Sequence, residues 1–356
     1  MTSVPALEDL IGTAVRDGAT ALHLHLEGRS VAAMARQGRA LAPLGRFEVT
    51  LPWLDGAYTH PGATRMDDRI VIRIDAHGVV RDAMAGLGMP GGMRKQLHAA
   101  LTLPGGLVLA VAPSPANRRA LAEALSAPAG YAPWIAGERH ALEAAARMDC
   151  DAILIDGLAD RSAAALAFDL ARAGQRIVIA ADAISAVAAI EQLRALKVER
   201  HLLGAALRAA VATHAAARLC PDCRLPVQAR ASESALLGID PGTVIYRPAG
   251  CGACDGTGYA GATQVFEAVV VDGPLHGLLA KGADAALLAR HSFLSAPTLA
   301  ASARTLAREG AITADEAIRI ARAAADSAAV GASHPHILIS GAIKRGSGLT
   351  VDPSCR

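Results

Sequence analysis

The chain has 356 residues, of which 52% are hydrophobic, mostly alanine, and only 3% are aromatic. This length is enough for two or three domains. A formal net charge of +2 gives no reason to expect nucleic acid as a partner, and no apolar run is long and uncharged enough for a membrane span. The N-terminus lacks the basic start and apolar core of a secretory signal, so we expect a cytoplasmic protein.

The first part of the chain has the pattern of short, half-buried strands. Polar and apolar residues alternate over Leu22–Leu26 and again over Arg69–Asp75, as expected for strands with one covered face. We therefore predict an N-terminal α/β domain over residues 1–85. Glycine, methionine and proline dominate residues 86–92, and this composition predicts a linker or hinge.

Two histidines in the first predicted strand are candidate ligands. His23 and His25 are two positions apart and therefore share a face, with Glu27 following on that face. Such a set could bind a metal, but no fourth ligand is evident. We therefore expect this face to be exposed to solvent or to lie in an interface.

The middle of the chain alternates apolar strands with alanine-rich helices. Residues 93–215 contain three continuous apolar runs, at 107–111, 152–155 and 177–180. Helices are predicted between and around these strands, at 117–126, 138–148, 161–173 and 184–196. Apolar strands that alternate with helices indicate a parallel sheet covered on both faces. After a cysteine-containing module at 216–268, we predict C-terminal helices over 269–328 and a disordered tail over 329–356.

Two C-x-x-C pairs are separated by 27 residues, and their four cysteines are Cys220, Cys223, Cys251 and Cys254. Each pair can present two thiolates from one tight turn, and four thiolates complete the closed tetrahedral site that Zn²⁺ prefers in structural modules. Two disulfides or a thioredoxin-like redox pair are the alternatives. We expect Gly256, Gly258 and Gly261 to adopt positive φ in turns of this module, and Tyr259 to pack over it.

The same cysteine region resembles the tetracysteine element of the type II secretion and type IV pilus assembly ATPases. The resemblance is carried by Leu219–Arg224, by Gly250–Gly261 and by Val265–Glu267. Weaker similarities precede these motifs, including Leu24–Glu27 and Leu87–Met89. The resemblance implies an N-terminal α/β domain hinged to a RecA-like motor domain. It also implies a hexameric ring in the cytoplasm that is peripheral to the inner membrane, where it contacts the platform proteins of a pilus or secretion machine.

The residues that would bind nucleotide depart from the family pattern. Where the family has a glycine-rich P-loop, this chain has Ala112–Arg119, without a glycine and with Arg118 at the lysine position. The catalytic glutamate of the family corresponds to Gly157, preceded by Asp156, and its histidine motif corresponds to Ala181–Ala183. Arg118 and Asp156 are therefore candidates for a vestigial nucleotide pocket. We expect Asp156 to cap the next helix, although a metal-binding role is the alternative.

These losses remove the phosphate cradle, a metal ligand, the base and the sensor together, so we predict a family member that does not hydrolyse ATP. Such a subunit would be structural or regulatory and could assemble with a competent paralogous motor. The alternative is a divergent ATPase that binds ATP and Mg²⁺ through Arg118, Asp156 and Asp182. A weaker alternative is a zinc-stabilised adaptor that forms no ring. Without a phosphate cradle, Arg46 and Arg73 are expected in salt bridges or on an exposed face, rather than at nucleotide.

Overall fold

The computed structural model describes residues 5–19, 21–28, 30–37, 40–59, 63–66, 69–73, 83–127, 132–147 and 150–330. The predicted tail at 329–356 lies outside these ranges from residue 331 onward. Over the described ranges, no helix combines the length and the apolar character needed to cross a membrane.

The N-terminal region is a five-stranded antiparallel sheet with helices on one face, which confirms the predicted α/β class. Its strands have the order β3-β2-β1-β5-β4. Leu22, Leu24, Ile70 and Ile72 are fully buried in the core of this region. The elements are α1 (Leu7–Arg16), β1 (Ala21–Glu27), β2 (Ser30–Gln37), β3 (Ala40–Glu48), α2 (Leu51–Thr59), β4 (Ala63–Met66) and β5 (Arg69–Arg73).

Of the two expectations for the histidine face, exposure to solvent is wrong for His23. Its side chain is fully buried within the chain itself, and Nε of Arg36 on β2 donates to His23 Nε2 at 3.2 Å. This neighbour on the adjacent strand gives the ring a polar partner inside the domain. Further along the chain, the expected salt bridge of Arg46 is present, because its guanidinium lies 2.9 Å from Glu27.

The central region is built on a six-stranded sheet of order β13-β10-β6-β9-β8-β7. Five strands are parallel, and β13 pairs antiparallel with β10 at one edge. Every residue of β6 and β9 is buried, including Arg176 at the start of β9. The elements are α3 (Ala83–Gly86), α4 (Gly91–Leu101), β6 (Gly106–Val111), α5 (Pro115–Ser126), β7 (Trp134–Ala136), α6 (Arg139–Ala145), β8 (Ala152–Asp156), α7 (Arg161–Arg172), β9 (Arg176–Ala181), α8 (Ala186–Ala195), α9 (Arg200–Ala206) and β10 (Leu207–Leu219).

The three predicted strands and four predicted helices of this region are all present, with ends that differ by a few residues. The long strand β10 was not predicted, because its alanine-rich sequence has no strand-like alternation. Alanine has little intrinsic preference for strands, so the pairing of β10 with β6 and β13 decides its conformation. Met89, inside the predicted linker, is buried against the same core as Met84 and Met93.

The cysteine region projects from β10 and returns to the sheet through β13. It contains β11 (Leu225–Gln228), α10 (Ala231–Leu237), β12 (Val244–Arg247) and a short 3₁₀ turn at Gly252–Cys254, followed by β13 (Tyr259–Val270). The predicted C-terminal helices follow as α11 (Gly273–Lys281), α12 (Ala285–Ser292), α13 (Leu299–Arg308) and α14 (Ala314–Val330). The two parts are joined at β10, where Leu219 N–H donates to the carbonyl of Ala311 at 2.9 Å.

Candidate functional site

The four cysteines of the two C-x-x-C pairs come together at the end of the β10–β13 hairpin. Their sulfur atoms all lie within 4.8 Å of one another. The sulfurs of Cys220 and Cys251 are 3.9 Å apart, and Cys254 lies 3.7 Å from both Cys223 and Cys251. Four sulfurs bound at about 2.3 Å around one Zn²⁺ would be about 3.8 Å apart. The cluster can therefore hold a metal ion, and its donors and spacing fit Zn²⁺.

Backbone groups around the cluster favour a charged sulfur at Cys254. The N–H groups of Cys251 and Gly258 donate to Cys254 Sγ at 3.2 and 3.1 Å. These hydrogen bonds, that of Cys251 first, lower the pKa of the Cys254 thiol to about 6. A thiolate is the form that binds metal, so the fold prepares this ligand for coordination.

Glycines allow the tight turns that bring the two pairs together. Gly256, Gly258 and Gly261 have φ of 74°, 75° and 75°, which confirms the predicted left-handed conformations. A Cβ on Gly258 would collide with Pro248, whereas a Cβ on Gly261 would meet nothing within 4 Å. Tyr259, which we expected to pack over the cluster, is the first residue of β13 and is 37% exposed.

An arginine of the cysteine module contacts the C-terminal helices. Arg224, next to the first cysteine pair, donates from Nη1 to the carbonyls of Glu309 and Gly310 at 2.8 and 2.6 Å. These carbonyls follow α13, where a cation is favoured by the helix dipole. The guanidinium also lies 4.8 Å from the ring centre of Tyr246. The module and helices therefore form one packed unit.

The segment that corresponds to the P-loop of the family is a short turn between a strand and a helix. Strand β6 ends at Val111 and helix α5 begins at Pro115, so only residues 112–114 connect them. Proline at 113 and 115 removes two backbone donors from this turn. A phosphate cradle needs several successive backbone N–H groups turned towards the ligand, and this connection is poor in them.

Arg118, at the position of the missing lysine, is turned back onto the protein. Its side chain is only 12% exposed, and Nη1 donates to the carbonyl of Ala112 at 2.9 Å. The same nitrogen lies 3.7 Å from a carboxylate oxygen of Asp182, which follows β9. The guanidinium thus interacts with two groups of its own chain at the carboxyl edge of the sheet.

Asp156 lies at the same edge, but it does not cap the next helix. It is the exposed last residue of β8, and the Asp156 position pairs with Ala180 of β9. The cap of α7 is Asp160, whose carboxylate accepts from Ala163 N–H at 2.8 Å. The prediction failed because residues 157–159 separate Asp156 from the N-cap position of α7, and Gly157, with φ of 74°, turns the chain there.

A buried carboxylate that was not predicted to have a role joins three elements. Glu267 on β13 is 3% exposed, and its two oxygens accept from the N–H groups of Ala186 and Leu299 at 2.8 and 2.9 Å. These are the first residues of α8 and α13, whose N–H groups have no partner within their helices. Burial raises the pKa of Glu267, and the two N–H groups act in the opposite direction. The signal in the sequence was a single charge within an apolar strand.

His214 supports α8 from the neighbouring strand. On β10, it is 7% exposed and its Nε2 lies 2.9 Å from the carbonyl of Ile184. Burial lowers the pKa of this imidazole, and Arg319 acts in the same direction. We therefore expect a neutral ring that donates to the carbonyl at neutral pH.

Comparison with known proteins gives a consistent result. The family described as "Type II/IV secretion system protein" matches residues 137–319. The type II secretion system protein E of Pseudomonas aeruginosa is 31% identical over 183 residues, which are 51% of this chain and 36% of that protein. The protein of the same name from Klebsiella pneumoniae is 27% identical over 279 residues, 71% of this chain and 56% of that protein. The chain thus matches about a third to just over half the length of these relatives.

Two solved structures align with the chain at low sequence identity and with TM-scores below 0.5. The ATPase DotB of Legionella pneumophila aligns with a TM-score of 0.48 and 10% identity, covering 89% of this chain and 95% of DotB. The pilus retraction motor PilT, solved with ADP, aligns with a TM-score of 0.46 and 13% identity, covering 89% and 97%.

Proposed function

The chain belongs to the type II/IV secretion system protein family, and from this premise we propose that it is a non-hydrolysing member of the secretion and pilus motor ATPases. Its role would be that of a structural or regulatory subunit in a type II secretion or type IV pilus machine. The family match covers residues 137–319, which include the cysteine cluster. The proposal that the chain does not hydrolyse ATP depends on the residues at the carboxyl ends of the parallel strands in the six-stranded sheet.

The observation that supports the proposal is that the Arg118 guanidinium interacts with groups of its own chain. In a P-loop, a lysine extends to the β- and γ-phosphates and the backbone wraps around them. Here the cation donates to Ala112 and neighbours Asp182, after a turn that contains two prolines. Phosphoryl transfer depends almost entirely on positioning and on charge stabilisation. Because several of these contributions are missing together, we expect no significant turnover.

A steady-state ATPase assay tests this proposal. The full chain, loaded with zinc and checked for its oligomeric state, is assayed at millimolar Mg-ATP beside Arg118→Ala and Arg119→Ala. Arg119 is the matched control, because its side chain is 62% exposed and pairs with Glu123 on the helix surface. We expect all three proteins to show only background hydrolysis. Turnover that is lost in Arg118→Ala but kept in Arg119→Ala would reject the proposal.

We propose that the metal in the cysteine cluster is a structural Zn²⁺ ion held by Cys220, Cys223, Cys251 and Cys254. Four thiolates would fill its coordination sphere and leave no position for a reactive water. Binding would then contribute to folding of the module, about 10–16 kcal/mol apparent in small zinc modules. Metal analysis of the purified chain should give one zinc per chain, with a large loss in Cys254→Ser. A metal-free wild type that keeps its full thermal stability would reject a structural role.

The alternative, a divergent ATPase, is favoured by one observation. Asp156 and Asp182 are both exposed at the carboxyl ends of neighbouring parallel strands, with Arg118 beside Asp182. This edge is where open parallel sheets usually bind ligands. ATP and Mg²⁺ would be cofactors in that case. The ATPase assay above decides between the two candidates, because only the alternative predicts turnover that depends on Arg118.

We also propose that the subunit assembles as a ring, alone or with a competent paralogous motor, on platform proteins of the inner membrane. The support is the family membership and the retained cysteine module. Size-exclusion chromatography with light scattering would measure the mass of the assembly. A monomer, both alone and when mixed with a paralogous motor from the same machine, would favour the free-standing adaptor instead.

A further inference from the structure

A buried arginine lies at the amino edge of the six-stranded sheet, opposite the edge described above. Arg176 is the first residue of β9, and its position pairs with Gly106 on β6 and with Ala152 on β8. The residue is only 5% exposed. Its Nη2 donates to the carbonyl of Leu103, which follows α4, at 2.9 Å. A guanidinium in the middle of a sheet edge is unusual, since charged groups are seldom fully buried without a partner.

Most of the hydrogen-bonding capacity of this guanidinium is unused. Nε and Nη1 of Arg176 are shielded from solvent and have no acceptor in the part of the chain that the structure describes. An unpaired buried donor costs free energy, and more so when the group is charged. The fold therefore presents two donors that a ligand with acceptor oxygens could satisfy.

A second arginine lies beside the first. A Cβ on Gly106 would come within 2.5 Å of Cγ of Arg208, so the stem of Arg208 lies directly over Gly106. Because Gly106 and Arg176 are paired on adjacent strands about 4.8 Å apart, the two arginine side chains are neighbours. Nη1 of Arg208 donates to the carbonyl of Ala205 at 3.3 Å, and its Nε has no acceptor among the described residues.

The pair carries two positive charges, and no carboxylate of the described residues is found paired with either guanidinium group. The hydrogen bonds found for both guanidinium groups within the described ranges go to backbone carbonyls. Burial first, and then the charge of Arg208, lower the pKa of Arg176 to about 10. Burial and the neighbouring cation both destabilise the charged form of Arg176, and the described residues offer no negative charge that would offset this. Gly106, with φ of 100°, has no side chain and so provides the room that Arg208 occupies.

We propose that Arg176 and Arg208 bind a small oxyanion of the phosphate or sulfate class at the amino edge of the sheet. The planar guanidinium fork matches the spacing of two oxygens on such an ion, and an anion would satisfy the unused donors and offset the repulsion between the cations. Arg176 is fixed by its bond to Leu103, whereas Arg208 is half-buried and forms a longer bond. The ion would have to enter past the half-buried side chain of Arg208.

The experiment measures binding of inorganic phosphate and of sulfate to the full, zinc-loaded chain. Isothermal titration and thermal unfolding are run at constant ionic strength, with chloride as the balancing anion. The variants are Arg208→Gln and Arg176→Met. Arg172→Gln is the matched control, because Arg172 is 52% exposed at the end of α7 and near Asp169. Arg118→Ala shows whether any anion binding occurs at the carboxyl edge of the sheet instead.

For the wild type and for Arg172→Gln we expect saturable binding and a Tm about 3 °C higher at ten times the Kd. Arg208→Gln should weaken binding at least tenfold, and Arg118→Ala should leave it unchanged. Arg176→Met should abolish binding and unfold at no lower temperature than the wild type without phosphate, since methionine removes an uncompensated charge. The proposal would be overturned if the wild type showed no saturable anion binding in the millimolar range. It would also be overturned if Arg208→Gln bound the anion with wild-type affinity, or if Arg118→Ala lost anion binding. A Tm of Arg176→Met below that of the wild type, both without anion, would overturn it as well.

Discussion

A glycine in the cysteine module offers a test of how the backbone supports the metal. Gly258 has φ of 75°, and a Cβ there would collide with the side chain of Pro248. Its N–H donates to Cys254 Sγ at 3.1 Å, and its carbonyl accepts from Cys220 N–H at 2.9 Å. Gly261 has the same φ, but a Cβ there would meet no atom within 4 Å. The two positions therefore separate backbone strain from steric collision.

In Gly261→Ala, we expect only the cost of a left-handed alanine, about 1–2 kcal/mol. Gly258→Ala adds an overpacking cost of about 1–3 kcal/mol, and thus loses about 2–5 kcal/mol in total. Since relief of the collision would move backbone groups bonded to two cysteines, zinc affinity should also fall at least tenfold in Gly258→Ala only. Urea unfolding and competition with a chelator measure both effects. Equal losses of stability and zinc affinity in the two variants would refute this reasoning.

Three further predictions test contacts elsewhere in the chain. Asp160→Ala should cost about 1 kcal/mol in urea unfolding through loss of the α7 cap, whereas Asp156→Ala should stay within about 0.5 kcal/mol of the wild type. Because burial lowers the pKa of His214, the unfolded chain binds a proton at this residue more readily than the folded chain does, so the stability of the fold should decrease as the pH drops below about 6.5. His214→Gln should make this decrease smaller. An equal decrease in the variant and the wild type would contradict a buried, neutral His214. Arg224→Gln should lower stability by about 1–3 kcal/mol through its carbonyl contacts and expose the module to protease, while exposed Arg218→Gln should do neither.

Much of the fold could be predicted from local patterns. The apolar runs of β6, β8 and β9 have no other plausible place than the inside of a parallel sheet, and their lengths match strands. The cysteine cluster was also predictable, because C-x-x-C spacing fixes which sulfurs can meet. The positive φ of its glycines followed from the same turns.

Other features depend on contacts distant in sequence. Strand β10 has an alanine-rich sequence, and only its pairing with β6 and β13 makes it a strand. His23 is fully buried and bonded to Arg36 on the adjacent strand, which periodicity alone could not indicate. The pair formed by Arg176 and Arg208 depends on strands β9 and β10 lying on either side of Gly106. Such juxtapositions are decided by strand order, which a single sequence does not specify.

The central claim is that this family member has kept its cysteine module but does not bind a nucleoside triphosphate around Arg118. The most direct test is isothermal titration of the zinc-loaded chain with a non-hydrolysable ATP analogue and Mg²⁺. The account predicts no saturable binding up to millimolar analogue, with Arg118→Ala indistinguishable from the wild type. Micromolar binding that disappears in Arg118→Ala, but persists in Arg119→Ala, would contradict it.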